Sequence, residues 1–201
     1  MRIPRCGARR KGNHRSHHFT ADAIRVQIGV GVDETPLQAI PYSLFPIPSP
    51  LVPLVPQDPD YEERVRQSFA RQRVMETIGA RLVRVAPGEV DIELPFREDL
   101  TQQHGFLHAG IVGTVLDSAA GYAAFTLMPA DAGVLSIEFK VNLLAPARGE
   151  RVIARARVVR AGRTITVCTA DAFAVQDGAE RHVSTMTATM MTVAGRENVT
   201  G

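Results

Sequence analysis

From Leu100 to Ala130 the chain runs 31 residues with one charged side chain, Asp117, and long stretches of alternating apolar and polar residues flank it. Inside it, Ile111, Val112, Val115, Leu116, Ala119, Ala120 and Ala123 recur at the i, i+3, i+4 spacing of a buried helical stripe, which predicts a helix over about Ala109–Leu127. After it, Leu135, Ile137, Phe139, Val141 and Leu143 alternate with Ser136, Glu138, Lys140 and Asn142. Residues Arg151–Arg160, Thr164–Val175 and His182–Val193 read as further strands. Before it, Arg81–Val85 and Glu89–Phe96 flank Ala86-Pro87-Gly88 as a β-hairpin, and Asp60 is placed to cap a helix over Tyr61–Glu76 with Val65, Phe69 and Val74 on its apolar side. Long strands joined by short turns make an antiparallel sheet, one face of which must be covered. Only one long apolar segment is available to cover it. The expected class is α+β, a single domain in which a long central helix is wrapped by an antiparallel sheet.

The domain is expected over residues 60–194, after a leader of residues 1–59 and before a tail of residues 195–201. Residues 1–60 hold seven Lys/Arg against five Asp/Glu, whereas the rest of the chain holds sixteen of each. The leader is basic at its start and then proline-rich, with eight prolines from Pro36 to Pro59, a composition that predicts disordered chain or an over-long reading frame. It lacks the apolar stretch of a secretory signal. The neutral remainder offers no phosphate-tracking surface, so nucleic acid is not an expected partner. No run is long and apolar enough for a membrane span. Cys6 and Cys168 fit neither a disulfide scaffold nor a zinc site, which suits a reducing, cytoplasmic setting.

Asp117 sits mid-helix, with Gly113 and Gly121 at i−4 and i+4 offering no charge partner. A carboxylate on an apolar helix needs water, a backbone or arginine partner, or a catalytic task as nucleophile or general base. Gln102, Gln103, His104, Gly105 and His108 crowd the loop into the helix, whose first amides at Ala109 and Gly110 can hold a developing oxyanion. The pair His104 and His108 lacks the remaining ligands of a metal centre, so no metal is expected. The glycines inside the helix each cost about 1 kcal/mol against alanine, so they are expected to admit close approach of other backbone. Ala109 and Asp117 lie about 12 Å apart along a helix axis, too far to act on one carbonyl. Two antiparallel helices of a symmetric dimer bring them together in two shared sites.

The run His108-Ala109-Gly110-Ile111-Val112-Gly113-Thr114-Val115-Leu116-Asp117 resembles the hotdog-fold acyl-CoA thioesterases of the PaaI-like group, which carry His-Gly-Gly with an acid nine residues after the His. The string Leu100–Gly110, with Asn142–Glu150, looks most like the YigI branch, associated with medium- to long-chain acyl-CoA. The resemblance spans about residues 60–194. It implies hydrolysis of acyl-CoA to fatty acid and coenzyme A, with Asp117 as nucleophile or general base. Ala109, with Gly110, would hold the oxyanion; His108 would polarise the carbonyl; and Gln102, or its neighbour Gln103, would orient water. Ala109 departs from the family's glycine, which keeps the N–H but narrows the pocket by a methyl. Coenzyme A, part of the substrate rather than a cofactor, would be held by Arg148 and the turn of Arg160, Gly162 and Arg163. Arg155 and Arg157 read as a solvated sheet face. Phe125, Met128, Met186 and Met190 are expected to be core, or to line the acyl path. The rival readings are an acyl-thioester hydratase or dehydratase and a non-catalytic acyl-CoA-binding module. A homodimer or homotetramer is expected.

Overall fold

The computed structural model describes residues 53–195. Of the expected leader only residues 53–59 fall within that span, and the tail beyond Gly195 lies outside it. In chain order the elements are α1 (Tyr61–Ala70), α2 (Arg73–Ile78), β1 (Arg81–Ala86), β2 (Glu89–Pro95), α3 (Ala109–Phe125), β3 (Ala132–Leu143), β4 (Arg151–Ala161), β5 (Ile165–Gln176) and β6 (Ala179–Ala194). The strands form one antiparallel sheet in the order β1-β2-β4-β5-β6-β3. Helix α3 lies across one face. Alanines on both surfaces make that close packing possible: Ala119, Ala120, Ala123 and Ala124 of the helix, and Ala154, Ala156, Ala170 and Ala172 of the central strands, are all buried. Larger side chains (Val90, Ile92 and Leu94 of β2, Met186 and Met190 of β6) fill the flanks of the same core. Met128 and Met186 are buried core as well. Among the described residues no helix is long and apolar enough to cross a membrane.

The expected helix over Tyr61–Glu76 is broken in two. Gln72 leaves helical geometry at φ −81°, ψ 89°, and Gly79 ends α2 in the left-handed region at φ +76°. At about 100° per residue, Val65 and Ile78 would lie on opposite sides of an unbroken helix. The break lets Val65, Met75 and Ile78 all enter the core, while Val74, expected on the apolar side, is 44% exposed. Asp60 occupies the N-cap position of α1 but its side chain caps nothing; the Asp60 N–H is itself accepted by Asp58 Oδ1 at 3.0 Å. Asp58 is buried and pairs with Arg64, their atoms 3.0 Å apart. Upstream of residue 60, Leu54 also packs on the core and the Gln57 carboxamide donates to the Leu127 carbonyl.

A β-bulge in β3 alters the expected alternation. Ser136 pairs with Met190 and Glu138 with Thr189, leaving Ile137 as the extra residue. Ser136 therefore points to the helix side, as do Phe139, Val141 and Leu143 beyond the bulge, whereas Leu135 is on the opposite face from Ser136. Strand β3 is also a sheet edge. Ile137, Phe139, Leu143 and the following Leu144 are all more than half exposed.

Cys168 lies in β5 under the helix, fully buried, and desolvation pushes its thiol up to about 12. A thiolate is the reactive form, so Cys168 is expected to resist thiol reagents in the folded protein and to react once the chain is unfolded. Titration of a Cys6→Ser variant with and without denaturant checks this; rapid labelling of native protein would contradict the burial.

Candidate active site

Helix α3 begins at a cap made by its own loop. His108 is extended (φ −62°, ψ 135°), and its Nδ1 accepts the Gly110 N–H at 3.0 Å. An accepting Nδ1 carries no proton, so the ring proton sits on Nε2, where it can be donated to a substrate oxygen. The same bond occupies the Gly110 amide. The His108 carbonyl accepts from Ile111 and Val112, and the Ala109 N–H has no partner among the described residues. Of the two amides expected to meet an oxyanion, Ala109 is therefore the open one.

The four residues Ala109, Gly113, Asp117 and Gly121 fall on one i, i+4 row of α3, a row that runs beside the edge strand β3 and is not fully buried. Glycines were expected here to admit other backbone. Within this chain they do something else: a Cβ at Gly113 or Gly121 would meet nothing within 4 Å. They keep space open on either side of the carboxylate. On the N-terminal side a groove of about 430 Å³ runs along Ala109, Gly110, Gly113, Thr114 and Asp117, walled by Phe139, Val141 and Leu143. On the other side a cavity of about 320 Å³ runs from Asp117 past Gly121 to Tyr122 and Phe125. Phe125, buried like Met128 and Met186, is the one of these three that borders the cavity.

Asp117 is half-buried, and its partner is neither arginine nor backbone. Ser136 Oγ donates to Asp117 Oδ1 at 2.7 Å and lies 3.4 Å from Met190 Sδ. The carboxylate is held from one side, with its other oxygen left for chemistry. Sequence reasoning missed Ser136 because simple alternation put it opposite Phe139; the bulge reverses that.

The glutamines separate. Gln102 accepts the His104 N–H and borders a 390 Å³ depression together with Ala109 and Leu143. Gln103 is exposed, 3.4 Å from the His104 ring, and borders neither Ala109 nor Asp117. Gln102 is the better placed of the two. The residues expected to bind coenzyme A are not brought together in one chain. Arg148 is near the start of α3, beside Gln102 and Gln103. Arg160 and Arg163 are exposed at the β4–β5 turn, at the far end of β4, roughly 33 Å away at about 3.3 Å per strand residue. Gly162 has a steric reason to be glycine, since a Cβ there would lie 2.6 Å from the Ile165 carbonyl oxygen. Arg155 forks onto Glu180 at 2.7 and 2.8 Å and stacks over Phe173, which accounts for it as surface structure.

A long helix wrapped by a six-stranded antiparallel sheet, with a single acid on the helix row beside the edge strand β3, is the hotdog fold of thioester-handling proteins. The chain belongs to the thioesterase superfamily, whose profile matches residues 104–180. A thioesterase family protein from Silicibacter pomeroyi has a crystal structure 61% identical to this chain, with a TM-score of 0.66, covering 67% of this chain and 99% of that one. Human acyl-coenzyme A thioesterase 13 is 31% identical over 91 residues, 45% of this chain and 64% of its own length. The 1,4-dihydroxy-2-naphthoyl-CoA hydrolase of Listeria monocytogenes is 30% identical over 94 residues, 47% of this chain and 76% of its own. The family points to thioester hydrolysis as the activity.

Proposed function

We propose that this protein hydrolyses acyl-CoA thioesters, with Asp117 as nucleophile or general base. The observation that carries the reading is the row Ala109–Gly113–Asp117: an open helix-N-terminal amide and a hydroxyl-anchored carboxylate stand on one partly exposed helix row, where an antiparallel copy of the helix would pair the amide of each copy with the carboxylate of the other. In the general-base form, water adds to the thioester carbon and passes a proton to Asp117. The oxyanion takes the Ala109 N–H and the His108 Nε2–H, while Gln102 orients the water. The C–S bond then breaks, and the departing thiolate recovers the proton from Asp117. Thiolate leaves readily, so no stronger acid is required. The similarity to PaaI-like proteins, and within them to the YigI branch, favours medium- to long-chain esters as substrates. Thiol release from an acetyl- to palmitoyl-CoA series tests the reading. Binding without thiol release would favour a hydratase or a binding module.

The site is shared between two copies. Ala109 and Asp117 of one helix are about 12 Å apart, so the amide facing a given carboxylate comes from a second, antiparallel α3. Strand β3 supports this: it is an apolar edge twelve residues long, with unpaired backbone groups suited to a second copy. Ile137→Asp together with Leu135→Asp is expected to give a monomer by light scattering, with thiol release reduced at least about 100-fold. A fully active monomer would contradict the shared site.

A further inference from the structure

The cavity beyond Asp117 has a polar side that an unsubstituted acyl chain would leave unpaired. One side of it is apolar, with Gly121, Val134 and the Phe125 ring alongside. Its other side is made by the end of α1 and the break after it, with Gln72 abreast of Ser118 and Ser68 abreast of Tyr122. One end of the Gln72 carboxamide is used on the buried Ser118 hydroxyl, at 3.2 Å, and the other end has no partner among the described residues. Beside it the Tyr122 hydroxyl, 3.4 Å from Ser68 Oγ, is buried. Desolvation raises its pKa above the ordinary phenol value, so it stays an O–H group. Arg71 stands exposed at the rim. Apart from Asp117 itself, no acidic side chain among the described residues borders the cavity.

We infer that this cavity selects acyl groups bearing an oxygen substituent, held along its polar side by Gln72 and Tyr122. The inference rests on the thioesterase reading. Tyr122 lies five residues beyond Asp117, about 7.5 Å along the axis, which is the reach of a substituent on the sixth carbon of an extended acyl chain. A hydrogen-bonding pocket discriminates strongly against an analogue that leaves its polar groups unpaired. The oxygen could belong to a neutral hydroxyl or to a carboxylate, and Arg71 distinguishes them, because only the carboxylate gains from its charge.

Three esters of matched length make the test: hexanoyl-CoA, 6-hydroxyhexanoyl-CoA and the mono-CoA thioester of adipic acid, with thiol release followed on the full chain. One or both oxygenated esters should exceed hexanoyl-CoA in kcat/KM by about tenfold, the worth of one well-made hydrogen bond. Gln72→Leu should bring that ratio toward one, and Tyr122→Phe, which removes only an oxygen, should lower it in the same direction. Arg71→Ala should erase a preference for the adipoyl ester and leave a preference for the hydroxyl ester. Equal or better use of hexanoyl-CoA by the wild type, or ratios unchanged in both cavity variants, overturns the inference and leaves the thioesterase reading standing. If no ester in this set or in the acetyl-to-palmitoyl series releases thiol, both fall together.

Discussion

Asp117→Asn is expected to lower kcat/KM for acyl-CoA hydrolysis by about 10²- to 10⁴-fold, the usual worth of a positioned acid–base group. The substitution is nearly isosteric, and the amide oxygen can still accept the Ser136 hydroxyl that now reaches Oδ1 at 2.7 Å. The helix should therefore stay where it is, and circular dichroism and the thermal midpoint should be close to wild type. What is lost is the negative charge, needed equally by a nucleophile and a general base. Ser136→Ala removes the anchor and keeps the charge, so a smaller loss of about tenfold is expected. Wild-type rates in the Asp117→Asn variant would remove this carboxylate from the chemistry, whatever its position.

Arg64→Ala should cost about 3 to 5 kcal/mol of stability, the range for removing one member of a buried ion pair. The guanidinium of Arg64 gathers the loose end of α3. It donates to the carbonyls of Phe125 (3.2 Å), Met128 (2.8 Å) and Pro129, lies 4.2 Å from the Phe125 ring centroid, and pairs with Asp58. Burial pulls its pKa below the ordinary arginine value, with the charges of Asp58 and Asp131 opposing that shift. A cation there satisfies unpaired carbonyls and meets the negative end of the helix dipole. Without it the carbonyls lose their donors and Asp58 its counter-charge. At about 2–4 °C per kcal/mol, the thermal midpoint should fall by roughly 10 °C. Arg64→Lys, which keeps the charge but cannot fork across three carbonyls, should fall between. A shift under about 2 °C in the alanine variant would mean that the end of α3 is held by other contacts.

Much of the architecture was legible in the residues because it rests on periodicity. A helix buried on most of its circumference and strands buried on one side write their spacing into the chain, so α3 and all six strands are found within a few residues of where the apolar pattern places them. The isolated charge at Asp117 marks the candidate site by the same logic, since a carboxylate on an apolar helix calls for water, a partner or a catalytic task. The cap by His108 is local too, settled over two residues from His108 to Gly110, but no apolar spacing announces it.

Other features depend on contacts between distant parts of the chain and leave no local mark. The bulge at Ile137 follows from pairing β3 with β6, and it alone turns Ser136 toward Asp117. The break at Gln72 follows from the demand that Val65, Met75 and Ile78 all reach one core, although Tyr61–Glu76 reads as a continuous helix. Arg148 and the Arg160–Arg163 turn, both expected to meet coenzyme A, are held apart by the length of β4. The sequence by itself determined the helix, the strands and the acid, because each follows from spacing along one element. Only the tertiary structure decided what holds the acid, which amide stays open and what lines the cavity beyond, because those depend on which distant side chains the packed sheet brings within about 3 Å of each other.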